Sequence, residues 1–137
     1  MTTAQVARDA MVPEPFTLEV SATASEAGEV LSRDAVRAVL VTDQGRLVGV
    51  VTRKTLVREV VAAGRPPGET TLGEIAEVPN ATIDSAMPLD EAFEFLEQQD
   101  YERVPVVDGA KLLGVLSRSV VQRRLAEDEP PPDELEG

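Results

Sequence analysis

A hydroxyl and a guanidinium stand side by side at two places in this chain, Thr52-Arg53 and Ser117-Arg118, and the two places are 65 residues apart. Each pair follows a glycine by three positions, in Gly49-Val-Val-Thr52 and Gly114-Val-Leu-Ser117, and each opens a stretch with helical spacing. At a helix N-terminus, free N–H groups and the helix dipole favour an anion, so a hydroxyl beside a guanidinium there can clamp a phosphate. The same hydroxyls can serve simply as helix N-caps, and the arginines as solvated charges. Little else in the chain suits catalysis. With no cysteine and no histidine, thiolate nucleophiles, disulfides, Cys/His zinc sites and a Ser-His-Asp triad are all excluded. No G-x-x-x-x-G-K-[ST] phosphate loop is present, and Gly45 and Gly109 read as turn residues. Glu91, Glu94 and Glu97 read as a solvated helix stripe, because a divalent metal needs more converging oxygens than one helix face supplies.

The two pairs belong to a repeat that runs through most of the chain. At an offset of 65, twelve residues recur over 36 aligned positions without a gap, among them Glu26/Glu91, Leu31/Leu96, Val41/Val106, Gly49/Gly114, Arg53/Arg118 and Arg58/Arg123. Such internal self-similarity means two copies of one supersecondary unit. A copy of roughly 60 residues is marginal alone, so the copies are expected to hide apolar faces against each other.

Hydrophobic periodicity and turn chemistry give each copy the order β-α-β-β-α after a short lead-in helical turn. In the first, Thr3–Ala10 forms the lead-in, and the prolines of Met11–Pro15 end it. Phe16–Val20 is predicted to be a strand. Thr23-Ala-Ser-Glu26 has the form of a capping box and opens a helix with Ala27, Val30, Leu31 and Ala35 on its apolar face. Ala38–Thr42 and Arg46–Thr52 make a hairpin around Asp43-Gln-Gly45. A helix over Lys54–Ala63 should bury Leu56, Val57, Val60 and Val61 on one face. In the second copy, Leu72–Ala76 is the lead-in and Ala81–Asp84 a strand, and Pro88 occupies the first turn of a helix ending near Gln99. There Ala92, Phe93 and Leu96 face inward, while Phe95 is a candidate dimer contact. Arg103–Val107 and Lys111–Ser117 form the hairpin, and Arg118–Ala126 closes the copy. Domain bounds follow: repeat one 1–63, linker 64–71, repeat two 72–126.

The chain is 42% hydrophobic and only 3% aromatic, so Val, Leu and Ala must fill its interior. Net charge is −12, half of it carried by the last eleven residues, EDEPPPDELEG, which are expected to be a disordered acidic tail. This acidity makes nucleic acid or an anionic membrane a poor partner. No signal peptide or membrane span is legible, and a cytoplasmic location is expected.

The segment Arg103-Val-Pro-Val-Val-Asp108, followed by Gly114-Val-Leu-Ser117, resembles the core signature of a CBS domain, the cystathionine β-synthase repeat. Ala38-Val-Leu-Val-Thr-Asp43 followed by Gly49-Val-Val-Thr52 is similar to it in the first copy. The chain thus looks like a stand-alone tandem CBS pair, or Bateman module, over residues 1–126. That resemblance implies an α+β (α/β-like) fold of two repeats about a pseudo-two-fold axis, with sheets facing each other and two clefts at the junction. It implies a non-catalytic regulatory role, a homodimer formed through the repeat helices, and AMP, ADP, ATP or S-adenosylmethionine as ligand. Thr52, Arg53, Ser117 and Arg118 would then meet phosphate or ribose. Thr17, Leu40, Thr82 and Pro105 would border the adenine, and Arg103 would either join them or pair with Glu102 or Asp100. The family pattern Gly-h-h-Ser/Thr-x-x-Asp ends on an aspartate that accepts the ribose diol, but its two places here hold Thr55 and Val120. Thr55 retains one hydrogen-bonding hydroxyl, so repeat one is the expected ribose site. The alternative is a ligand-free dimerisation or protein-docking module with degenerate clefts.

Overall fold

The computed structural model describes residues 5–13 and 16–128; of the expected disordered acidic tail, 127–137, Glu127 and Asp128 instead extend the last helix, and the rest lies outside the described residues. Its elements alternate as the periodicity predicts: α1 (Ala7–Ala10), β1 (Thr17–Glu19), α2 (Ala24–Leu31), β2 (Val39–Asp43), β3 (Arg46–Val51), α3 (Arg53–Leu56) running into a π-helical turn (Val57–Val61), α4 (Leu72–Ile75), β4 (Ile83–Asp84), α5 (Leu89–Gln99), β5 (Arg103–Asp108), β6 (Lys111–Ser117) and α6 (Arg118–Asp128). The fold is mixed α+β.

The chain divides into two compact units: Glu14–Asn80 with Ala110–Leu112, and Met1–Pro13 with Ala81–Gly109 and Leu113 onward. In the first, β1 pairs parallel with β2 in the register Thr17↔Leu40, and β2 pairs antiparallel with β3 from Val39↔Val51 to Asp43↔Arg46. The tight hairpin turn is possible because Gln44 and Gly45 both take positive φ, 52° and 84°. Ala24, Ala27 and Leu31 of α2 pack on Val39, Val41 and Val51 of the sheet, together with Val60, Leu72 and Ile75. In the second unit β4 lies parallel to β5 with Ile83 opposite Val106, and β6 neighbours β5. Leu89, Ala92 and Leu96 of α5 close on Ile83, Val104, Val106, Leu116 and Val121, together with Ala7 and Ala10 of α1.

Each lead-in helix therefore packs with the strands of the other repeat. The segment after α4 bridges β3, Val50 and Glu77 exchanging both backbone hydrogen bonds (2.8 and 2.9 Å). The segment after α1 bridges β6 in the same way through Val12 and Val115 (2.9 and 2.8 Å). Both bridges obey the offset of 65. They also explain the repeated glycine. A Cβ on Gly49 would lie 2.6 Å from the Ala76 Cβ, and one on Gly114 would lie 2.6 Å from the Val12 carbonyl oxygen. The glycine of each motif is needed for the passing chain.

Three local expectations need correction. Helix α2 ends at Leu31, where Ser32 caps it by donating to the Glu29 carbonyl (2.6 Å). Ala35 is consequently an exposed turn residue, and Val36 enters the core instead. Pro88 is the extended N-cap of α5 (ψ 141°), not its first turn. In the last helix of repeat one, the π-helical bonds Ala62 N–H to Val57 O and Arg65 N–H to Val60 O change the angular spacing of side chains. Val60 and Thr55 are buried, whereas Val57 and Val61 stand 58% and 72% exposed. The Thr23/Glu26 capping box forms as expected, its two bonds 3.2 and 3.3 Å long. Phe93 and Phe95 are both half-buried, with Phe95 against Tyr101 at a centroid distance of 6.1 Å.

Candidate functional site

In repeat one, Thr52 ends the sheet and caps the helix that follows. Its Oγ1 accepts from the Thr55 N–H (3.3 Å), and the Thr55 Oγ1 returns the bond by accepting from the Thr52 N–H (3.0 Å). The two hydroxyls lie 3.1 Å apart. Thr55 is fully buried and donates its hydroxyl proton to Glu77 Oε2 at 2.8 Å. The other carboxylate oxygen of Glu77 accepts from the Arg58 guanidinium. These bonds, the Thr55 hydroxyl first and then Arg58, hold the Glu77 carboxyl below the usual carboxylate range. Arg53 donates to the backbone carbonyl of Arg33 (2.8 Å), which keeps its head beside the end of α2. Thr17 and Leu40 are register partners on neighbouring strands, so the structure brings these two predicted residues together.

Repeat two is built differently at the same places. Ser117 exchanges a hydrogen bond with Ser119 at 3.1 Å. Val120, at the position of Thr55, has no polar atom to offer. Arg118 is drawn into an ion-pair cluster with Asp100 (3.3 Å) and Glu102. Asp100 reaches it because it closes α5 in the left-handed conformation at φ 56°. The acids expected for Arg103 are therefore claimed by Arg118, and Arg103 is exposed with no ion-pair partner among the described residues. Thr82 is exposed one residue ahead of β4, and Pro105 precedes Val106, the register partner of Ile83.

Glu77 is the residue that sequence reasoning missed. It lies 22 positions from Thr55 and outside the repeated motif, and its counterpart at the offset of 65 is Val12. Only the bridge from Val50 to Glu77 brings it to the motif. What the arrangement of repeat one can do chemically is accept hydrogen bonds at a fixed, ionised carboxylate and donate or accept at a capping hydroxyl. Among the described residues no three acidic side chains converge to hold a metal ion, and no helix is long and apolar enough to cross a membrane.

Two β-α-β-β-α repeats, each carrying Gly-h-h-Ser/Thr-Arg where its last strand meets its last helix, define a tandem-repeat module. Residues 7–62 and 69–127 each match the CBS domain, and the chain belongs to that family. It is 27% identical over 110 residues to the CBS domain-containing protein YhcV of Bacillus subtilis, covering 80% of this chain and 78% of that one. It is 31% identical over 85 residues to Hypoxic response protein 1 of Mycobacterium tuberculosis, covering 62% of this chain and 59% of the relative. A crystal structure of Hypoxic Response Protein I with two coordinated zinc ions superposes with TM-score 0.72 at 25% identity, over 88% of this chain and 98% of that one. The structure of CBSX2 in complex with AMP matches with TM-score 0.69 at 24% identity, over 90% and 97% of the two chains.

Proposed function

We propose that this chain is a non-catalytic regulatory module of the cytoplasm that binds an adenine nucleotide or derivative, of the AMP, ADP, ATP or S-adenosylmethionine class. The Thr52-Arg53 segment would lie on the ligand's phosphate or ribose. The module would work as a homodimer that transmits occupancy through its geometry. The observation that carries the reading is the capping hydroxyl of Thr52 beside Arg53, half-buried at a strand end and bonded to Thr55, which in turn donates to Glu77. The fold shared with CBSX2, whose structure contains AMP, supports it.

Calorimetric titration with AMP, ADP, ATP and S-adenosylmethionine tests it, with Thr52→Ala and Ser117→Ala as controls. Saturable heat with one of them that Thr52→Ala abolishes is the expected result; no heat at millimolar ligand would end the proposal. A second reading, a ligand-free dimerisation or docking module, is favoured by Val120 and by the commitment of Arg118 to Asp100 and Glu102. Exposed Val57 and Val61 would then belong to the contact face. Under that reading the melting temperature is indifferent to every nucleotide, since a bound ligand must raise stability.

A further inference from the structure

The nucleotide reading leaves the ribose of repeat one without the aspartate that the family pattern has at position 55. Thr55 cannot replace it directly. It is fully buried, its proton is committed to Glu77, and its oxygen already accepts from the Thr52 N–H. It does, however, hold a carboxylate oxygen 2.8 Å from its own hydroxyl. We infer that Glu77 supplies the missing carboxylate and accepts the ribose diol in repeat one, with Thr55 as its positioning residue; the inference rests on the proposed nucleotide function.

Four observations bear on it. The Glu77 backbone is fixed by the two hydrogen bonds to Val50, so the side chain starts from a defined place. Thr55 and Arg58 each hold one carboxylate oxygen, which orients the group. The side chain is still 41% exposed, and each carboxylate oxygen has two acceptor positions, leaving one apiece for a pair of hydroxyls. Finally, the counterparts of Thr55 and Glu77 in repeat two are Val120 and Val12. Donor and acceptor are both replaced by aliphatics there, so the device exists once per chain.

The test compares AMP with 2′,3′-dideoxy-AMP by calorimetry on the wild-type chain, on Glu77→Gln, and on the double variant Thr55→Asp/Glu77→Thr. Wild type should prefer AMP by about tenfold or more, the value of hydrogen bonds to a charged acceptor. Glu77→Gln should bind both ligands with affinities within about twofold of each other, at the wild-type affinity for the dideoxy compound. The double variant moves the carboxylate to the family position and should restore the preference. A purely structural ion pair would leave the ribose preference intact in Glu77→Gln, and that result overturns the inference while the nucleotide function stands. If wild type binds neither ligand, both fall together.

Discussion

Thr55 is a buried polar residue whose hydrogen-bonding groups find partners within its own unit: N–H to Thr52 Oγ1, Oγ1 from the Thr52 N–H, and hydroxyl proton to Glu77. Thr55→Val preserves shape and removes the last two bonds, stranding a backbone N–H and freeing the carboxylate. It should cost about 1–3 kcal/mol in urea denaturation and abolish any preference for an intact ribose. The Glu77 carboxyl also has a consequence for acid stability. Its folded-state pKa lies below the ordinary value, so its contribution is present above the usual carboxylate range and is lost as pH falls through the lowered pKa. The urea midpoint of wild type should therefore fall on acidification below about pH 4.5, and Glu77→Gln should flatten part of that fall. Only part is expected, because Glu19, held by Thr42 and the Gln44 N–H, and Glu74, held by the Thr71 N–H, are lowered too. Thr52 and Ser117 were legible in the sequence because a repeat exposes positions that share chemistry. Glu77 was not, because its partnership is made by a close approach of distant chain and not by any spacing.

At the scale of elements, the order of helices and strands could be read from alternation and three-to-four-residue spacing, since each element has one face on a core. What could not be read is where spacing itself changes. The π-helical turn over Val57–Val61 carries Val57 and Val61 away from the face that a 3.6-residue period assigns them. The stop of α2 at Leu31 likewise depends on a serine bonding back to its own helix, which competes with propensity and is invisible to hydrophobic pattern. The exchange of lead-in helices was also hidden, yet the two glycines of the repeat record it. Gly114→Ala sets a Cβ against the Val12 backbone at 2.6 Å, where no side chain can yield. We expect it to destabilise by about 1–3 kcal/mol in thermal or urea unfolding. Gly49→Ala should do the same and, by pushing the Ala76–Glu77 segment from β3, also weaken ribose discrimination.

For the molecule as a whole, the CBS family sets the fold, and the residues of this chain set which repeat can act. The two copies share the glycine, the hydroxyl and the arginine, so a reading confined to the motif predicts two equivalent sites. The structure gives repeat one a capped hydroxyl and a positioned carboxylate. In repeat two it gives an aliphatic position and an arginine already committed to Asp100 and Glu102. Recognition of a single nucleotide by a duplicated chain is the central claim. The stoichiometry of AMP binding to the wild-type chain, measured by calorimetry at protein concentrations well above the dissociation constant, tests it most directly. The account predicts one AMP per chain, lost in Thr52→Ala and retained in Ser117→Ala. Two equal sites, or a single site that vanishes with Ser117→Ala and survives Thr52→Ala, would contradict it.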